Sequence, residues 1–124
     1  MMTSNRLSGT LPTQYGQPGS FQALRTLSFS DNLLSGQLPS EYVNSFPSLL
    51  DMYFDSNLLS GTLPSQYGAD GVFPLMTHLD LRKNLISGTL PSEYGNPKAW
   101  AELNQMALQR NSLTGTIPSE FFAD

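Results

Sequence analysis

One eight-residue pattern recurs five times along this chain of 124 residues. It reads Asn-x-(Leu/Ile)-(Ser/Thr)-Gly-x-(Leu/Ile)-Pro, and successive copies begin 27, 25, 27 and 27 residues apart. Repeats of about 20–50 residues are typical of solenoids, in which one repeat cannot bury its apolar face alone and stacked repeats share a continuous core. The pattern therefore predicts a solenoid whose turns begin again at Asn5, Asn32, Asn57, Asn84 and Asn111.

A second pattern, apolar-x-x-apolar-x-apolar, precedes each of the last four asparagines, as in Leu24, Leu27 and Phe29 before Asn32. Its alternation with period two indicates a short strand with one buried face. Strands of successive turns are expected to pair in parallel. The predicted inward columns are Leu27/Met52/Leu79/Met106, Phe29/Phe54/Leu81/Leu108, Leu7/Leu34/Leu59/Ile86/Leu113 and Leu11/Leu38/Leu63/Leu90/Ile117.

The asparagine at the start of each copy has a physical reason. Where the chain turns after the strand, backbone groups point inward without partners, and each would cost about 1–3 kcal/mol if buried unpaired. An Asn side chain carries both a donor and an acceptor, so it can satisfy them. We therefore predict a structural ladder formed by Asn5, Asn32, Asn57, Asn84 and Asn111.

The segment after each Pro is predicted to be the outer return path. An aromatic residue follows the Pro at a fixed offset, and turn-forming Gly, Pro, Asn and Asp come next. The one repeat of 25 residues is shorter in this segment, which marks it as a loop. The aromatic positions are Tyr15, Tyr42, Tyr67, Tyr94 and Phe121, followed by a second bulky column at Phe21, Phe46, Phe73 and Trp100.

The combined motif Leu-x-x-Leu-x-Leu-x-x-Asn-x-Leu-(Ser/Thr)-Gly-x-(Leu/Ile)-Pro resembles the plant-specific class of leucine-rich repeats, as found in receptor-like and extracellular proteins of plants and green algae. The resemblance covers essentially the whole chain. It implies an α/β-type leucine-rich-repeat solenoid, a curved right-handed coil with a parallel sheet on the concave face and irregular or short-helical returns. It also implies a second short strand through the Ser-Gly-x-Leu-Pro element.

Residues 1–124 are expected to form a single solenoid of about five repeats, the first and last incomplete, within a longer array. Neighbouring repeats or another chain are then expected to cover the ends, because solenoid ends expose core. The resemblance favours an extracellular or cell-surface location. The chain itself has no signal peptide, no cysteine and no Asn-x-Ser/Thr sequon, so the compartment stays open.

Composition narrows the function classes. The net charge of -4 argues against nucleic-acid binding, which needs a basic patch. No apolar run approaches the roughly 20 residues that span a bilayer, so membrane insertion by this segment is not expected. The sequence lacks a phosphate-binding glycine loop, a His-Glu metal motif and a nucleophile elbow. We therefore expect no catalytic, cofactor-binding or metal-binding residues, and His78 is a lone histidine.

The outward residues of the main sheet line the face that such solenoids usually use for recognition. One aromatic and several charges fall there, and exposed Tyr and Arg are typical interface anchors. The sequence predicts non-enzymatic binding of a protein or peptide there; a solvated face whose charges pair across strands is the competing interpretation. The candidate contacts are Tyr53, Asp55, Asp80, Arg82, Lys83 and Arg110.

Two other functions remain alternatives. Regular Thr and Ser columns beside the repeated Gly, such as Thr10, Thr62 and Thr89, resemble ice-binding or surface-binding faces, although Gln37 interrupts them. Hydroxyl side chains also have ordinary uses in turns, where they bond to the neighbouring backbone. A structural scaffold that stacks through its uncapped ends is the second alternative.

Overall fold

The computed structural model describes residues 2–122. Its main sheet consists of four parallel strands in the order of the chain: β2 (Thr26–Ser28), β4 (Asp51–Tyr53), β6 (His78–Asp80) and β8 (Gln105–Ala107). The register aligns the predicted inward residues Leu27, Met52, Leu79 and Met106. The predicted sheet of four parallel strands, one per repeat, is confirmed.

A second row of short parallel strands runs beside the main sheet. It comprises β1 (Ser8–Thr10), β3 (Leu33–Gly36) and β5 (Leu58–Leu59), then β7 (Ser87–Thr89) and β9 (Ser112–Thr114). An isolated parallel bridge between Thr62 and Ser87 joins the two groups. The second strand that the plant-type resemblance implied is therefore present in every repeat, and we call this row the lateral sheet.

Each return path contains one short 3-10 turn, and no α-helix occurs in residues 2–122. The first four turns follow a Pro with φ between -62° and -69°, which suits the residue that precedes a helical turn. These turns stack on one another in the order of the chain. They span Thr13–Gly16, Ser40–Asn44, Ser65–Gly68, Ser92–Gly95 and Ser119–Phe122.

The core lies between the two sheets and the 3-10 turns. The predicted columns are buried or partly buried in the central turns, and Trp100 joins Phe46 and Phe73 in the buried set. The prediction was wrong for Leu7 and Ile117, which are 38% and 63% exposed. They belong to the outer turns of the described segment, where a neighbouring turn covers only one side.

The repeated Gly of the motif is needed for two physical reasons. Gly36 has φ +77°, a left-handed conformation that a side chain disfavours. A Cβ at this position would also lie 2.8 Å from the Thr10 methyl carbon of the preceding turn. The Gly therefore permits both the backbone angle and the close approach of successive turns.

Candidate functional site

The asparagine ladder forms as predicted and fixes the corner between the two sheets. The Asn57 Oδ1 atom accepts from the Leu34 amide at 3.0 Å. Its Nδ2 atom donates to the carbonyls of Phe29, Phe54 and Asp55 at 3.0–3.2 Å. Asn84 repeats this set of contacts one turn later. Each side chain thus ties its own strand end to the preceding turn.

The ladder weakens toward the ends of the described segment. Asn32 keeps the full set of contacts, with Met2 supplying the carbonyl of the preceding turn, and Asn111 is half-buried but bonds in the same way. Asn5 is exposed, and its side chain donates only to the Thr3 carbonyl at 3.1 Å. Asn5 was predicted to belong to the ladder, but it makes no cross-turn bond because the described residues contain no earlier turn.

A second polar ladder follows the aromatic column, and sequence reasoning did not identify it. The hydroxyl of Tyr67 donates to the Pro39 carbonyl at 2.8 Å. Tyr42 and Tyr94 make the same bond to the repeat Pro of the turn before them, at 2.9 and 2.8 Å. The sequence did contain a signal for this ladder. Tyr recurs at a fixed offset from the repeat Pro, and a position that required only an apolar side chain would not need its hydroxyl group.

The concave face of the main sheet carries the predicted contact residues, and their exposure differs. Tyr53 and Asp55 are half-buried on neighbouring positions, and Arg82 is exposed beside them. Asp80 is only 8% exposed, so it lies within the face rather than on it. Burial first, then the charges of Asp51 and Asp80, raise the pKa of Tyr53, so its hydroxyl stays a neutral donor.

Asp80 and Arg82 form the strongest ion pair on this face. The Arg82 Nε atom lies 2.9 Å from Asp80 Oδ1, and its Nη2 atom lies 2.6 Å from Asp80 Oδ2. Asp80 Oδ1 also accepts from the Arg82 amide at 3.1 Å. The hydrogen bond to Asp80 and then its charge raise the pKa of Arg82, so the guanidinium stays charged. Asp80 therefore acts by holding Arg82, not as a free contact.

The acidic residues of the earlier turns are also engaged locally. Asp51 Oδ1 lies 2.9 Å from His78 Nδ1 and 3.1 Å from Thr77 Oγ1. Asp55 Oδ1 accepts from the Ser30 hydroxyl at 2.5 Å. Within residues 2–122, no group of three His, Cys, Asp or Glu side chains could hold a metal ion.

Lys83 and Arg110 occupy equivalent positions at the corner between the two sheets. Both are exposed, and both have positive φ, at 55° and 61°. Neither takes part in an ion pair with a described residue. The structure thus brings Tyr53, Asp55 and Arg82 together on the concave face and leaves Lys83 and Arg110 at its rim.

The threonine column proposed as an ice-binding alternative has a packing role. A Cβ on Gly88 would meet the Thr62 methyl carbon at 2.9 Å, and one on Gly115 would meet that of Thr89 at 2.9 Å. Each Thr methyl therefore lies over the Gly of the following turn. A shallow groove of about 730 Å³ runs along this column and the adjoining Pro and Ser residues.

No helix in the described part of the chain is both long enough and apolar enough to cross a bilayer. The family model described as Leucine Rich Repeat matches residues 23–45 and 76–97. No curated protein sequence matches the chain.

Several solved structures resemble the chain along almost its whole length. The plant peptide hormone receptor RGFR1 in complex with RGF2 is 32% identical with a TM-score of 0.79, over 94% of this chain and 17% of that one. A chain of the BIR3–SERK2 complex from Arabidopsis thaliana is 32% identical with a TM-score of 0.75, over 96% and 58%.

The HAESA ectodomain from Arabidopsis, in complex with an N-terminally extended IDA peptide hormone, is 30% identical with a TM-score of 0.76, over 95% and 19%. The chain therefore spans less than two thirds of each of these relatives. The peptide-hormone complexes and the BIR3–SERK2 complex describe the binding partners of those relatives.

Proposed function

Because the chain is a leucine-rich-repeat protein of the plant type, we propose that it is a non-enzymatic module that binds a peptide or protein segment on its concave face. The observation that carries the proposal is the grouping of Tyr53, which ends β4, with Asp55 and Arg82, which lie two residues beyond the ends of the adjacent strands β4 and β6. Solved relatives that are described as complexes with peptide hormones support it. The proposed binding surface is formed by residues of this chain alone.

Arg82 supplies the anionic contact. A guanidinium has five N–H donors, and the bonds to Asp80 use the Nε donor and one on Nη2. Three N–H groups therefore remain for a ligand carboxylate. Because Asp80 already fixes the guanidinium plane, little further conformational entropy is lost on binding. We expect a ligand with an acidic group in this position.

Tyr53 supplies the apolar contact. Its ring is the one aromatic on the concave strands of the described chain, and tyrosine offers a large rigid surface with a polar tip. The neighbouring side chains Ser28 and Asp80 are small or buried, so the ring is not covered from the side. We expect a ligand apolar side chain to pack against this ring.

The test is selection of peptides from a random displayed library on the immobilised chain. Synthetic versions of the enriched peptides are then titrated by fluorescence anisotropy. Tyr53→Ala is expected to weaken binding about tenfold or more, as truncation of an interface anchor does. Arg82→Lys, which keeps the charge but loses the planar fork, is expected to weaken it by a smaller factor.

The matched control is Lys98→Ala. Lys98 is an exposed cation in the return path, and its only ion pair with a described residue is a loose 3.8 Å contact with Asp70. Binding is expected to be unchanged in this variant. Failure to enrich any peptide, or binders that Lys98→Ala weakens as much as Tyr53→Ala does, would contradict recognition by the concave face.

A further inference from the structure

Three large apolar side chains form an exposed row on the lateral sheet. Leu33, Leu58 and Leu85 are 48%, 45% and 55% exposed, whereas the next leucines along the same strands, Leu34 and Leu59, are buried. Each follows directly after a ladder asparagine, so the three occupy the same position in successive turns. We call this row the leucine stripe. Exposed large apolar side chains that recur at one position of successive turns indicate an interaction site rather than ordinary surface.

Serine residues separate the leucines along the lateral sheet. The strand register places Ser8 beside Leu33 and Ser35 beside Leu58. The hydroxyl of Ser35 bonds weakly to the Gly9 carbonyl at 3.4 Å, so this part of the surface is polar but locally engaged. The stripe is therefore a narrow apolar surface on an otherwise uncharged sheet. Such a surface is complementary to a second narrow apolar surface.

The residues around the stripe have an internal symmetry. In the stripe position the five turns carry Arg6, Leu33, Leu58, Leu85 and Ser112, and the three central members are leucines placed symmetrically about Leu58. Two residues earlier, at the corner, they carry Ser4, Asp31, Ser56, Lys83 and Arg110. Reversing the order of the turns exchanges Asp31 with Lys83 and leaves Ser56 in place. The surface is thus complementary to its own reversed copy.

We propose that the leucine stripe binds a second copy of this chain about a two-fold axis that passes through Leu58. An axis perpendicular to the stripe sets Leu33 against Leu85 of the second copy, and Leu58 against its own equivalent. The corner residues then set Asp31 against Lys83 of the second copy, twice per dimer. Such an isologous contact is the commonest way in which soluble chains self-associate.

Charge selects this antiparallel arrangement over the parallel one. An axis along the length of the solenoid would set Asp31 against Asp31 and Lys83 against Lys83, and like charges at an interface repel. Asp31 and Lys83 are both exposed, and neither is in an ion pair with a described residue. Both are therefore free for the cross-dimer contact.

The dimer leaves the concave face accessible, because Tyr53 and Arg82 lie on the main sheet. Three half-exposed leucines per copy form a small interface, and contacts below about 1,200 Å² in total are weak. We therefore expect reversible association in the micromolar range or weaker, measurable by sedimentation velocity across a concentration series of the full chain.

Leu58→Glu is the first variant. At the axis it sets two carboxylates against each other in an apolar contact, so the dissociation constant is expected to rise about a hundredfold or more. Leu75→Glu is the matched control, since Leu75 is an equally exposed leucine, 46%, in the return path. It is expected to associate like the wild type. Both sites are exposed, and circular dichroism verifies that both variants fold.

The charge pair tests the geometry. Asp31→Lys alone and Lys83→Asp alone are each expected to weaken self-association about tenfold at low salt, because both pairs in the dimer become repulsive. An equal mixture of the two single variants is expected to recover the association, because every pair is attractive again in the mixed dimer. Only the antiparallel contact gives both results.

Three results would overturn the proposal. The first is a wild-type chain that stays monomeric throughout the concentration series. The second is association that Leu58→Glu leaves unchanged and Ile117→Ser removes, which would place the contact at the end of the solenoid. The third is association that responds to Leu58→Glu but ignores both charge variants, which would assign the stripe a different partner geometry.

Discussion

The inward polar columns and the outward concave columns of this solenoid behave oppositely. Inside, Asn57 and Asn84 make the same four hydrogen bonds, and Tyr42, Tyr67 and Tyr94 make the same bond to a proline carbonyl. Outside, the strand position of Tyr53 is occupied by Ser28, Asp80 and Ala107 in the other turns. The inward polar columns repeat the same contact from turn to turn, whereas the outward concave column carries a different side chain in each turn.

The difference follows from what each surface must satisfy. A buried backbone amide or carbonyl imposes the same requirement in every turn, because an unsatisfied group costs free energy wherever it lies. The concave face is solvated, so its backbone geometry accepts many side chains. Sequence variation is therefore concentrated where it can encode a partner, and repetition is concentrated where it maintains the fold.

The comparison is tested most strongly at the asparagine ladder. Asn57→Ala removes one acceptor and one donor group, so the buried Leu34 amide loses its partner and the Phe29 carbonyl keeps only the donor from Asn32. The free energy of unfolding in urea is expected to fall by about 4 kcal/mol. Asn5→Ala removes the same side chain where it is exposed, and we expect a change within about 0.5 kcal/mol. Equal losses at both sites would show that the cross-turn bonds are not the cause.

A substitution that disturbs the close stacking of the 3-10 turns is expected to cause a smaller loss of stability. A Cβ on Gly68 would overlap the Glu93 carbonyl of the next turn, and backbone atoms cannot move aside cheaply. Gly68→Ala is expected to lower the free energy of unfolding by about 2–3 kcal/mol. Gly71→Ala has open space but φ +71°, so it isolates backbone strain, about 1 kcal/mol. A larger loss at Gly71 would contradict the steric explanation.

Removal of one hydroxyl group from the tyrosine ladder is expected to cause the next largest loss of stability. Tyr67→Phe leaves the Pro39 carbonyl without its hydroxyl donor, so the free energy of unfolding is expected to fall by about 1–2 kcal/mol at neutral pH. Chemical denaturation of both proteins measures the difference. No change would show that the Pro39 carbonyl finds another partner. Tyr15→Phe is the control, since Tyr15 is only half-buried and is a member of the column without a bond to a preceding Pro.

The same ladder makes the fold sensitive to alkali. Burial, the largest cause, raises the pKa of Tyr42, Tyr67 and Tyr94 above the ordinary value of 10.0. A raised folded-state pKa stabilises the fold fully below pH 10, and this contribution is lost as pH rises because the unfolded chain ionises first. Tyr67→Phe is expected to flatten the decline above pH 10 by about 1.4 kcal/mol per pH unit. Parallel curves for the two proteins would contradict it.

Sequence alone predicted the features that repeat. The strand row of Leu27 and Met52, the asparagine contacts of Asn57 and the bulky column ending at Trp100 all recur from repeat to repeat, so four or five copies reveal each of them. The exceptions lie in the first described turn: among the described residues, Asn5 and Leu7 have a neighbouring turn on one side only. The concave contacts cannot be derived in the same way. The pairing of Asp80 with Arg82 occurs once, and it depends on side-chain geometry that no other turn repeats.

The smallest expected effect on stability lies on the concave face itself. If variation there encodes a partner rather than the fold, Tyr53→Ala should change the free energy of unfolding by no more than about 0.5–1 kcal/mol, because the ring is half-buried and its hydroxyl donates to no described group. The same substitution is expected to cause the largest loss of peptide binding. A loss of stability comparable to that of Asn57→Ala would mean that the fold depends on the side chains of the concave face as it does on those of the core. The proposed distinction between the two surfaces would then be wrong.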